Sequence, residues 1–206
     1  MRINTVGIYW AARRENAEAC AERLEKYLLS LKSAFPALAD WYRKRGTASQ
    51  SISFSQQENG ELLDLLTAAR NKRDISGEVI EELGFRVDLW NKRKESEAIS
   101  LGVTCGLFSK STGLSNAVYL SLPQDLEALS LQGSDALRKL LLLQIEAWSP
   151  DWGAVFASQG DAYKTRIGSG PFFDKMLWLK NGEDLPQGVG KEYLEEIALG
   201  GRIYTR

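Results

Sequence analysis

Asp151 follows Pro150, and an acid after a proline is the first half of a metal-dependent nuclease signature. The second half is an acid and a lysine separated by one residue on a strand. Asp161 and Asp174 are the acids that follow, but Tyr163 and Met176 stand where the lysine is required. Carboxylates alone can hold magnesium, so a metal-dependent hydrolase stays open as an alternative, although no spacing fixes which acids would serve. Histidine is absent from the chain. That removes Ser-His-Asp and Cys-His catalysis, histidine acid–base chemistry and the common zinc sites together. Gly168, Gly170, Gly200 and Gly201 lack the strand-to-loop spacing that cradles a phosphate, and no Gly-Lys-Ser or Gly-Lys-Thr triplet occurs. They read as loop punctuation. No catalytic residue, cofactor site or metal site is assigned, and the chain reads as a non-enzyme.

The remaining candidates are residues suited to contact rather than turnover. Trp41 and Tyr42 precede the basic run Arg43, Lys44 and Arg45, and tryptophan and arginine are enriched at interface hot spots. Trp41 is a candidate contact residue if it is partly exposed, while for any single tryptophan packing into the core is the favoured reading. An acidic tail, Glu183, Asp184, Glu192, Glu195 and Glu196, is offset only by Lys191 and offers a second contact surface. Arg70, Asn71, Arg73 and Asp74, followed by Glu78, Glu81 and Glu82 and then Trp90 and Asn91, form the densest polar cluster. They are expected to make a structural network that fixes a junction between helix and sheet. The rival reading is a polar recognition surface, because arginine forks beside acids and an aromatic suit a desolvated protein contact.

Elements must place these residues. Ile3 to Trp10 reads as a strand, and Glu15 to Ala34 as a helix. In the helix Ala17, Cys20, Ala21, Leu24, Leu28 and Leu31 recur at three- and four-residue steps. A second helix is expected from Glu58 to Ala69, and a short one before Gly84. From Phe85 the period becomes two. Strands over Phe85–Trp90, Ala98–Phe108 and Ala117–Leu122 with no helix between them imply an antiparallel meander. Ser134 is placed as the cap of a helix ending at Trp148, with further strands at Trp152–Ala157, Met176–Leu179 and Arg202–Thr205. The fold expected is one α+β domain over residues 1–206, an antiparallel sheet with helices mainly on one face.

Composition sets the address. Hydrophobic residues make up 44% and charged residues 26%, enough for a sizeable core. The net charge of -1 argues against direct nucleic-acid binding, which needs a basic excess. The longest apolar run, Leu140 to Leu143, falls far short of the ~20 residues of a membrane span. No signal peptide is expected, and the protein is placed in the cytosol. Cys20 and Cys105 sit in apolar patterns and are expected as buried, reduced thiols.

Tyr9-Trp10, Arg13, Glu15, Cys20-Ala21, Arg23-Leu24, Leu28, Leu31, Pro36 and Trp41 form a recognisable series. Arg70-Asn71-Lys72-Arg73-Asp74, Val79-Ile80, Leu83-Gly84-Phe85 and Leu89-Trp90-Asn91 continue it, with thinner support from Asn116, Leu122-Pro123 and Trp152. Together they resemble the immunity protein 52 family of bacterial polymorphic-toxin and type VI secretion systems. Ala11 stands where that pattern often has glycine. The resemblance implies a protein that binds and neutralises a cognate secreted toxin, commonly a nuclease of restriction-endonuclease-like fold. It does not assign the toxin-contacting positions. An adaptor or assembly subunit is the other alternative.

Overall fold

Phe85, Val87 and Leu89 are buried while Arg86 and Asp88 are exposed, the alternation of a strand with one face on a core. The computed structural model describes residues 4–43, 52–53, 59–91, 97–111, 113–123, 133–157, 170–186 and 189–206. In chain order its strands are β1 (Asn4–Trp10), β2 (Tyr42–Arg43), β3 (Ile52–Ser53), β4 (Phe85–Trp90), β5 (Ser100–Cys105), β6 (Asn116–Leu122), β7 (Trp152–Ala157), β8 (Met176–Lys180), β9 (Leu194–Ala198) and β10 (Gly201–Thr205). The helices are α1 (Ala17–Ala34), α2 (Asn59–Ala68) and α3 (Gly133–Trp148).

All ten strands join one antiparallel sheet, in the order β3-β2-β4-β5-β6-β1-β7-β8-β10-β9. The meander β4-β5-β6 is present as the alternation predicts. It makes three of the sheet's ten strands; β1 then sits between β6 and β7, with Val6 opposite Leu120 on one side and Val155 on the other.

The three helices cover one face. Leu24, Leu28 and Leu31 of α1, Leu62 and Leu66 of α2, and Leu140, Leu141 and Trp148 of α3 share a core with Val6, Ile8, Val87, Leu101, Val118 and Trp178. Each fully buried aliphatic side chain there contributes about 1.5–3 kcal/mol. Asn16 caps α1, its Oδ1 accepting the Ala19 N–H at 2.9 Å. Pro36 stops the helix and opens a single turn, Pro36–Leu38. Ser134, expected as the cap of α3, instead lies within its first turn.

The opposite face is covered unevenly. Over β7, β8 and β10, Phe172, Phe173, Leu185, Val189 and Tyr193 pack on Ala154, Phe156, Leu177, Leu179 and Tyr204. Over β4 and β6 it carries Arg86, Asp88 and Tyr119, tied by Asp88, which accepts from Arg86 Nε at 3.3 Å and from the Tyr119 hydroxyl at 3.2 Å. Burial and the Asp88 carboxylate push the Tyr119 phenol up; Asp88 and then Tyr119 hold Arg86 more firmly protonated.

Candidate functional site

Pro150 cannot continue α3, so the last carbonyls of that helix lack intrahelical donors. Two arginines supply them. Arg13 donates from Nη2 to the Trp148 carbonyl at 3.0 Å and from Nη1 to the Ser149 carbonyl at 3.3 Å, and Arg23 from Nη1 to the Ala147 carbonyl at 3.2 Å. Glu15 lies between them. One of its oxygens accepts from Arg13 Nε at 3.0 Å and the other from Arg23 Nε at 2.9 Å. The Glu15 side chain is 10% exposed, against 31% and 33% for its partners. Two cations at a helix C-terminus suit the helix dipole, and the shared carboxylate keeps them from repelling each other. Arg13 also lies over the Trp10 ring at 4.9 Å, and Trp10 stacks on Trp148 at 5.6 Å. This charged lock joins α1, α3 and the end of β1.

After α2 the chain projects as a hairpin. Lys72 pairs with Val79, the Arg73 N–H donates to the Glu78 carbonyl at 2.9 Å, and the Ile80 N–H to the Asn71 carbonyl at 2.8 Å. Its tip is closed by the Gly77 N–H on the Arg73 carbonyl at 2.9 Å, with Gly77 at φ +68. Asn71 anchors the base, donating from Nδ2 to the Leu83 carbonyl at 3.3 Å. Gly84, at φ +59, turns the chain into β4, where an added Cβ would stand 2.3 Å from the Cys105 carbonyl. Ile75 at the tip is fully exposed, at 104% of its reference area.

Beside the hairpin a cleft of about 450 Å³ opens against the first turn of α1, lined among others by Arg14, Glu18, Arg70, Glu81, Phe85 and Phe108. Arg14 lies over the Phe108 ring at 4.8 Å and Arg70 over Phe85 at 5.6 Å. Arg14 also pairs with Glu81 at 3.7 Å, both largely in solvent. Two segments far apart in sequence, 13–18 and 70–85, therefore meet at one surface.

The sequence profile of the immunity protein 52 family matches residues 3–182. The chain belongs to that family. No curated protein matches the sequence. Among solved structures it is similar to the Pseudomonas aeruginosa T6SS protein PA0821 at 10% identity and a TM-score of 0.36, covering 76% of this chain and 40% of that one. The chain thus spans about two-fifths of that structure's length, and the likeness is too distant to carry a comparison of sites.

In this family member the sequence-predicted polar network is not one unit. Arg70 to Asp74 lie at the start of β4, and Trp90 and Asn91 at its far end, about 17 Å along the strand. The expectation of a buried ion-pair junction is corrected. Arg73 meets Glu78 at 3.8 Å with both side chains about two-thirds or more exposed, and Asp74 is exposed. A hairpin returns the backbone to solvent, so these charges never leave water. Asn91 alone of the group is fully buried, its side chain bracketing the Glu97–Ile99 backbone at 2.9 and 3.0 Å. The half-buried ion-pair lock uses Arg13, Glu15 and Arg23 instead. A helix about to end at a proline needs donors for its last carbonyls, and that need was the available signal.

The predicted partner-binding residues fall in two places. Trp41 is 1% exposed, with its Nε1 donating to the Leu38 carbonyl at 3.0 Å, which favours core packing over a contact role. Tyr42 and Arg43 are half-buried in β2, paired to β3 and β4. In the acidic tail Asp184 and Glu192 are exposed, and Glu183 is half-buried with its carbonyl accepting from Arg202 at 3.0 Å. Glu195 on β9 accepts from the Thr205 hydroxyl and meets Arg138 at 3.9 Å. Strands β2 and β9 are eight strand spacings apart, roughly 40 Å. An interface of ordinary size, about 800 Å² per partner, does not reach both. Lys44, Arg45, Asp161, Gly168 and the side chains of Lys191 and Glu196 lie outside the described residues.

The acids singled out for hydrolysis hold backbone. Asp151 accepts the Ala11 N–H at 2.8 Å, and Asp174 accepts the Ala157 N–H at 2.9 Å. Among the described residues no three metal-ligating side chains converge. Gly200, with Leu199 at φ 51, makes the two-residue turn between β9 and β10. Cys20 and Cys105 are buried free thiols; their mutual hydrogen bond and burial push Cys105 well above its ordinary range. Among the described residues no helix is long and apolar enough to cross a membrane.

Proposed function

We propose that this protein protects its producer in the cytosol by binding a cognate toxin domain and holding it inactive, without catalysis of its own. Membership of the immunity protein 52 family over residues 3–182 carries the reading. The geometry supports it: the acids best placed by sequence for metal chemistry are engaged in backbone hydrogen bonds. The toxin class to test first is the nuclease that the family resemblance implies. A neutraliser that must outlast repeated delivery needs slow dissociation and nanomolar affinity, about -12 kcal/mol.

The test takes the toxic domain of the toxin that this reading expects to be encoded beside the gene, expresses it in a sensitive bacterium with and without this protein, then mixes the purified components. Rescue should require at least one protein per toxin, with both co-eluting as a complex. Rescue far below that ratio would show that this chain destroys or modifies the toxin catalytically. Absence of both rescue and complex would refute neutralisation.

A further inference from the structure

We propose that the hairpin from Arg70 to Ile80 is the insertion element of the toxin-binding surface, with Ile75 the side chain that enters an apolar pocket on the toxin domain. The inference rests on the neutralisation reading above and adds the place of contact.

Ile75 is fully exposed, and none of the described residues covers it. Turn tips are normally built from Gly, Asn, Asp, Ser and Pro, and Asp74, Ser76 and Gly77 follow that rule around it. A β-branched aliphatic residue there has no local conformational use. The hairpin beneath it is already ordered. Three backbone hydrogen bonds, Arg73–Glu78, Gly77–Arg73 and Ile80–Asn71, hold it in the free protein and set Lys72 opposite Val79. Asn71 fixes it to the Leu83 carbonyl. Binding through such an element loses little backbone freedom, which is the advantage of a preorganised contact.

The adjoining cleft supplies the rest of an interface centre. Arg14 and Arg70 are laid on the Phe108 and Phe85 rings, so their guanidinium planes are positioned before a partner arrives. Arginine is enriched at interface hot spots, and an exposed aliphatic side chain beside two ordered arginines gives such a patch an apolar anchor. Lys72 and Asp74 are exposed on the arm leading into the tip, while Arg73 and Glu78 answer each other across the hairpin at 3.8 Å. This mixed collar suits a protein surface of mixed charge and does not suit a polyanion.

A second copy of the chain is a poorer receptor. The cleft within reach of a symmetric contact is rimmed by Arg14, Glu18, Arg70 and Glu81, charges that an incoming isoleucine would have to desolvate. Of the other large exposed apolar side chains among the described residues, Leu29, Leu114 and Leu199 each line a different surface depression, edged by Lys26 and Lys139, by Asp151 and Glu183, and by Glu146 and Lys180 respectively.

The experiment uses the full chain and the purified toxic domain of the neighbouring gene. Ile75→Asp and Ile75→Ala are compared with wild type by thermal melting, titration of binding and rescue of growth. Melting should be unchanged. Ile75→Ala should weaken binding about tenfold to a hundredfold, the loss of one buried aliphatic side chain, and Ile75→Asp should weaken it further. Leu29→Asp on α1 should leave binding as in wild type. Because both native cysteines are buried, Ile75→Cys offers one accessible thiol. An environment-sensitive dye attached there should shift to the blue on adding toxin.

Wild-type affinity retained in Ile75→Asp would overturn the hairpin while leaving neutralisation standing. An early melt of Ile75→Asp would overturn it too, by showing a structural role. Self-association that Ile75→Asp abolishes while toxin binding persists would assign the tip to a second copy. Failure of the wild-type protein to bind the toxin would remove both readings.

Discussion

Replacing Glu15 by Gln leaves the shape of the α3 lock intact and removes its charge. Two hydrogen bonds to a carboxylate, at 3.0 and 2.9 Å, become bonds to a neutral amide that has one acceptor oxygen instead of two. One arginine Nε then faces an amide N–H. Bonds to charged groups are each worth about 1.5–3 kcal/mol. Arg13 and Arg23 are about one-third exposed and keep their carbonyl acceptors, so water recovers part of the loss. The net cost is about 2–3 kcal/mol. For a domain of this size each kcal/mol moves the melting temperature by about 2–4 °C, which gives a fall of roughly 5–10 °C. Glu78→Gln, at the exposed hairpin pair, is the control and should move it by about 1–2 °C at most. Scanning calorimetry or far-UV melting measures both. If Glu15→Gln melts with the control, the carboxylate is not what holds α1 to α3, and the reasoning from burial fails.

Gly84→Ala should destabilise by more than about 2 kcal/mol in urea unfolding, because it combines a left-handed φ with a Cβ 2.3 Å from the Cys105 carbonyl. Gly77→Ala has a similar φ in open space and should cost about 1 kcal/mol. Cys20 and Cys105 are buried, and Cys105 is held protonated by Cys20 and by burial. Neither should therefore react with a thiol reagent at neutral pH, while both react in denaturant; rapid native labelling would contradict this. Burial raises the Tyr27 phenol well above its ordinary 10.0. Its contribution is complete below that value and falls as pH rises beyond it, by up to about 1.4 kcal/mol per pH unit. Alkaline melts of wild type and Tyr27→Phe should show a shallower fall in the variant.

The elements that repeat were legible in the sequence. The three- and four-residue period of α1 and the alternation in β4 to β6 name both the element and its buried face, because one face must meet a core. Residues whose environment is set across the fold were not legible. Trp41 sits beside a basic run in sequence yet is roofed by the core. Leu194 to Ala198 reads as an acidic patch and is an edge strand, where charge is the usual protection against stray pairing. Arg70 to Asp74 and Arg13 to Arg23 are both rich in charge. Only the hairpin on one side, and the end of α3 on the other, decide which group lies in water and which spans helices. Ile75 passed as one more apolar residue in a mixed segment, because exposure at a tip leaves no periodic trace.

Strand β1 is translated first among the strands and placed in the middle of the sheet. Its neighbours β6 and β7 begin at Asn116 and Trp152, so more than a hundred residues must be made before Trp10 meets Asn116. At bacterial or eukaryotic synthesis rates the apolar strand waits roughly 5–20 s, then closes a long loop, which is a slow step. Until then both its hydrogen-bonding edges are open templates. A nascent chain of this protein should therefore gain from chaperones, and heat or crowded translation should lower its yield before it touches the stability of molecules already folded.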